Sequence, residues 1–107
     1  MMSRVVASYA QAAHLIKPEQ LETIDVLGPT IQFLTPPDAK DAPCIMRGTI
    51  PPGISIPLHS HPDPETFLMI SGTVEGLICR DHDFNWTRIN AGDIFHVPGN
   101  AKHAWRN

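Results

Sequence analysis

Two histidines one residue apart, His59 and His61, are followed by Glu65 in a proline-crowded stretch, PGISIPLHSHPDPETFLMISG. Neutral imidazoles and a carboxylate are ligand types suited to Zn, Fe, Mn, Ni or Cu. Pro57, Pro62 and Pro64 exclude an α-helix here, because proline lacks an amide N–H and its ring collides with the preceding turn. The backbone is therefore read as extended. In a strand, residues i and i+2 project to one face about 6.6 Å apart, twice the rise per residue. His59 and His61 then point side by side, Ser60 points away, and a bend at Pro62-Asp63-Pro64 can return Glu65 to the same place. Asp63 is a competing carboxylate, although its position between two prolines reads better as a turn residue. Taken alone, an HxH pair is more often a solvated pair than a metal site.

The elements that would hold these groups are short strands. From Ile24 onward, runs rich in Ile, Val, Phe and Thr alternate with Pro, Gly, Asp and Asn: TIQFLT, PCIMRGTI, ISIPLHSH, TFLMI, TVEGLICR, WTRI, DIFHV and HAWRN. Brief strands separated by turn signals indicate an all-β sandwich or barrel, and eleven prolines leave little room for helices. DHDFN reads as a hairpin loop and INAGD as a second turn. Before Ile24, apolar residues at Val5, Val6, Tyr9, Ala12, Ala13 and Ile16 have helical spacing, with Ser3 as a cap and Pro18 as the stop. A further short turn can start at Pro18.

With 107 residues the chain is read as one domain with a single modest core. A net charge of −3 without a Lys/Arg cluster points away from nucleic acid and membrane surfaces. The N-terminal segment is too polar for a signal peptide or a membrane span, so the chain reads as cytoplasmic. Cys44 and Cys79 have no CxxC spacing and read as reduced, buried thiols.

The end of the chain, GDIFHVPGNAKHAWRN, gives the histidines a context. Gly53, His59, His61, Glu65 and Gly72 satisfy every spacing of the first cupin motif, G-x5-HxH-x3,4-E-x6-G. Gly92, Pro98, His103 and Asn107 fit the second, G-x5-PxG-x2-H-x3-N, with nineteen residues between the two. The chain thus resembles the cupin superfamily over residues 45–107. One departure is Asn100 where the family has glycine. That position is expected to need a positive φ, which Asn tolerates best after Gly, with Gly99 adding slack.

The resemblance implies a double-stranded β-helix (jelly-roll) barrel of the RmlC-like kind. Residues 1–107 would form a single cupin domain, with 1–23 a helical extension and 24–107 the barrel. It implies His59, His61, Glu65 and His103 as ligands of one divalent transition metal (Fe, Mn, Ni or Zn), with positions left open for water, oxygen or substrate. Strand parity places Phe67 and Met69 with Glu65, and Trp105 with His103, as an apolar lining or simply as barrel filling. Arg47 and His96 are further candidates for contact with a small-molecule ligand. His14 and His82 read as solvated.

The activity implied is that of a metal-dependent enzyme, dioxygenase-like or an isomerase, decarboxylase or lyase; the alternative is a non-enzymatic sensor or ligand-binding module. Cupin barrels generally run at least one strand past the second motif. Either the sequence is a shortened chain, or N-terminal residues or a partner subunit complete the barrel; the last of these makes a homodimer the anticipated assembly.

Overall fold

The computed structural model describes residues 12–35 and 43–107. They are organised as two compact units, Met1–Thr49 and Ile50–Asn107. Among the described residues the regular structure is antiparallel β, apart from one 3₁₀ turn at Pro18–Gln20. The anticipated N-terminal helix is not present in the part that can be followed. Residues 13–17 are irregular, and positions 3–11 lie outside the described residues. Pro18 accounts for the last of these positions: the residue before a proline is pushed out of the helical region, and Lys17 is extended at φ −97° and ψ 142°. The short turn expected at Pro18 is there.

In the first unit, β1 (Ile24–Asp25), β2 (Thr30–Phe33) and β3 (Met46–Thr49) form a sheet in that order. Every residue of β3 is exposed, and so is Cys44 just before it, while Cys79 in the second unit is half-buried. Both thiols are free, but neither is buried as expected.

The second unit holds β4 (Ser55–His59), β5 (Glu65–Leu68), β6 (Thr73–Arg80), β7 (Asp83–Asn90), β8 (Ile94–Val97) and β9 (His103–Arg106). One sheet has the order β4-β9-β6-β7, and β5 pairs with β8 in a second. The strands fall where the sequence texture placed them, with one adjustment. DHDFN is not a five-residue loop: Arg80 pairs with Asp83, so only Asp81 and His82 turn, and Asp81 takes φ 51°. Asp is among the few side chains that tolerate this left-handed region.

The inward faces of the two sheets meet in an apolar core of Val74, Ile89 and Trp105, with Ile50, Ile56, Phe67, Met69 and Phe95 packed against it. Trp105 is the hub, its ring in edge contact with Phe67 at 4.7 Å and Phe95 at 5.0 Å. Gly76, directly opposite Trp105 on β6, is where Phe95 comes down onto the sheet. A Cβ there would stand 3.0 Å from the Phe95 ring and 2.9 Å from Ile89. Leu68, Ile70 and Ile94 have the opposite parity and face solvent.

On the outer face of the larger sheet, Arg106 Nε donates to Glu75 Oε1 at 2.8 Å while its guanidinium lies 3.9 Å over the Trp86 ring. The Arg106 hydrogen bond holds the Glu75 carboxyl below its ordinary 4.5, burial opposes this, and the charges of Arg106 and Arg88 reinforce it. A depressed carboxylate adds stability that is present above the ordinary value and lost as pH falls through the folded one. The stability difference between the wild type and Glu75→Gln should therefore persist at neutral pH and vanish in acid. Urea unfolding at a series of pH values measures it, and because the pair is exposed the effect should be small.

Candidate metal centre

The four candidate ligands come from three strands and one loop. His59 ends β4, His61 follows in the loop, Glu65 opens β5 and His103 opens β9. The pairing of β4 with β9 decides where His59 points. Ile56 lies opposite Trp105 and His59 opposite His103, so three steps along β4 match two along β9. The extra residue is a β-bulge at Pro57-Leu58, where proline has no N–H to give the ladder. Without it, His59 would have the parity opposite to Ile56 and would leave the core side. With it, Pro57 and Leu58 are both exposed while Ile56 and His59 turn inward.

The three rings gather closely. Their centroids are 4.1 Å apart for His59 and His103, 5.1 Å for His61 and His103, and 5.7 Å for His59 and His61. One ligand nitrogen from each lies within 4.8 Å of the others. Each Nδ1–H donates to a backbone carbonyl two residues away: His59 to Pro57 at 2.8 Å, His61 to Asp63 at 2.8 Å, His103 to Ala101 at 2.9 Å. A carbonyl can only accept, so these contacts fix the protons on Nδ1 and leave each Nε2 with a lone pair to offer. Asp63 thus contributes its backbone carbonyl to the site.

Glu65 stands against this cluster, with Oε1 2.7 Å from His61 Nε2 and 3.8 Å from His103 Nε2. Lone-pair atoms gathered this closely are the arrangement that a shared cation would bridge. His103 is the most deeply placed member at 2% exposure, and its Nε2 is buried with no hydrogen-bond partner among the described residues. A buried, unpaired acceptor costs about 1–3 kcal/mol, a cost that a bond to a metal ion would offset. Two nitrogens bound to one ion at about 2.0–2.1 Å stand at most about 4.2 Å apart. A contraction of a fraction of an ångström would bring the set onto one ion, so the residues fit a transition metal.

The motif positions around the histidines are backbone requirements. Gly53, Gly72 and Gly92 all have positive φ, and Asn100 takes φ 66° where the family has glycine. Asn is therefore the minor change expected there. Gly99 does something other than add slack. Its φ is not left-handed, and a Cβ on it would fall 2.5 Å from the Pro62 carbonyl oxygen. Asn107 ties the chain end to the strand entry, with Nδ2 donating to the Ile50 carbonyl at 2.7 Å and its N–H to that of Ile54 at 3.0 Å.

The remaining candidates separate by parity. Phe67, Met69 and Trp105 turn inward as the alternation implied, and they pack into the core. Phe95 joins them and was not singled out, although the same alternation along IFHV would have marked it. His96 is its outward neighbour: it is exposed and shares a 2.9 Å hydrogen bond with Thr66 Oγ1 on the far face of the β5–β8 pair. Arg47 is exposed on β3 of the first unit. His82 is exposed in its turn, and the His14 ring donates to the Ala12 carbonyl at 2.7 Å.

Among the described residues, no helix is long and apolar enough to cross a membrane. No curated protein matches the chain. The family model described as "Cupin domain" matches residues 46–107, more than half of its length and the whole of the histidine-bearing unit from β4 onward. By its motifs, its antiparallel strands and this match, the chain belongs to the cupin domain family.

Proposed function

We propose that His59, His61, Glu65 and His103 hold one divalent transition metal and that the protein is a metal-dependent enzyme acting on a small organic molecule. The observation that carries this reading is the convergence of the three histidines, each with Nδ1 committed to a carbonyl and Nε2 turned inward, one of them buried and unpaired. When bound, the ion would supply Lewis acidity or redox chemistry and positions for substrate oxygen atoms or O₂. The chain's own part is orientation. The three carbonyls hold the rings, Glu65 would offset the cationic charge, and Trp105, two residues beyond His103 on β9, ties that strand into the Phe67–Phe95 core. Access is from the side of His61 and Glu65, whose side chains are 30% and 29% exposed.

A metal-organised binding module is the second reading, and one observation favours it. Phe67, Met69 and Trp105 are engaged with one another in the core, which leaves ligand contact to the rim of the site. The two separate by experiment. The purified protein should carry about one metal ion per chain by elemental analysis, and Glu65→Gln should weaken its retention. Oxygen uptake or product formation with small phenols, diketones and organic acids identifies an enzyme. Saturable binding without turnover identifies a module, and absence of any bound metal at equimolar Fe²⁺, Mn²⁺, Ni²⁺ or Zn²⁺ removes both.

A further inference from the structure

We infer that the turn from Pro98 to Ala101 is a positioning device that couples His61 to His103, so that the two ligands from opposite ends of the second unit are set by one piece of backbone. The inference rests on the metal reading above for its use, but not for its geometry. The turn grips the HxH loop by two contacts. The Asn100 N–H donates to the His61 carbonyl at 2.7 Å, and the Gly99 α-carbon packs so closely on the Pro62 carbonyl that any side chain would collide with it. The same turn closes on itself through Ala101 N–H to the Pro98 carbonyl at 3.1 Å, and the Ala101 carbonyl then receives the His103 ring proton at 2.9 Å. The chain of contacts therefore runs from the His61 backbone through Asn100 and Ala101 to the His103 imidazole.

No backbone contact of this turn reaches His59, which meets His103 through the β4–β9 pairing and whose ring proton goes to Pro57. Asn100 must sit at φ 66° for its N–H to face the loop, which Gly and Asn reach at little cost and β-branched residues do not. Groups that orient ligands typically change metal affinity by ten- to a hundredfold when removed.

Gly99→Ala separates the coupled pair from the uncoupled ligand. In long-range ¹H–¹⁵N spectra of the metal-free variant, the ring nitrogens of His61 and His103 should shift clearly more than those of His59, which the turn does not contact. Zn²⁺ affinity should fall about ten- to a hundredfold. Asn100→Gly should resemble the wild type in both. A folded Gly99→Ala variant with His61 and His103 unmoved, or with all three rings moved alike, would overturn the coupling. Should the variant fail to fold, amide exchange in the wild type decides. The Asn100 N–H should exchange at least about tenfold more slowly than an open amide, and unprotected exchange would end the inference. If the wild type binds no Zn²⁺ while His61 and His103 still shift together in the variant, the coupling stands and the metal reading falls.

Discussion

Replacing His103 with Ala should lower metal affinity by about two to three orders of magnitude while leaving the metal-free fold nearly as stable as before. Four-ligand structural sites bind Zn²⁺ with apparent free energies of about 10–16 kcal/mol, so one ligand of four stands for about 2.5–4 kcal/mol. The second half of the expectation comes from burial. His103 Nε2 is enclosed without a hydrogen-bond partner among the described residues, so the wild type already bears the cost of an unpaired polar atom when no metal is bound. Ala removes that atom together with its ring contacts, and the two effects oppose each other. Isothermal titration with Zn²⁺ or Co²⁺ and urea unfolding of the metal-free protein measure the two halves. Unchanged stoichiometry and affinity in the variant would remove His103 from the site, and with it the reading of the centre.

Trp105→Ala carries the largest expected loss of stability. Trp105 is 6% exposed at the centre of the core, in edge contact with Phe67 and Phe95 and packed with Val74 and Ile89. Deleting a buried aromatic costs about 3–5 kcal/mol through lost transfer energy and the cavity left behind. For a domain of this size, about 3 kcal/mol lowers the melting temperature by about 12 °C or more. Total stabilities are commonly about 5–15 kcal/mol, so the variant stands near its threshold. Metal should restore part of the loss by mass action, since it binds only the folded arrangement. Trp105→Phe keeps an aromatic face toward Phe67 and should recover much of the stability. Differential scanning calorimetry with and without metal reads all three. A melting temperature within about 3 °C of wild type for Trp105→Ala would show that the core does not depend on this ring.

The all-β character, the strand positions and the identity of the clustered residues could be read without coordinates, because they depend on local facts. Proline denies a helix to residues 57–64, and β-branched runs end at turn residues. The positive φ expected at motif position 100 is there, and the structure adds the same backbone at Gly53, Gly72 and Gly92. Parity likewise placed Phe67, Met69 and Trp105 on the inner side, because the pleat has a period of two.

Pairing between distant segments was decided only in the folded chain. The bulge at Pro57-Leu58 turns His59 toward His103; Pro57 permits it, but a bulge is defined only against the partner strand β9. The close approach of Gly99 to Pro62 and the commitment of each ring to its carbonyl likewise needed the loops in place. The anticipated helix shows the converse: apolar spacing over residues 5–16 suggested it, yet residues 13–17 are irregular, with Lys17 extended before Pro18. Local sterics are written residue by residue and can be read in one dimension, whereas strand register and inter-loop contacts are long-range choices made by packing.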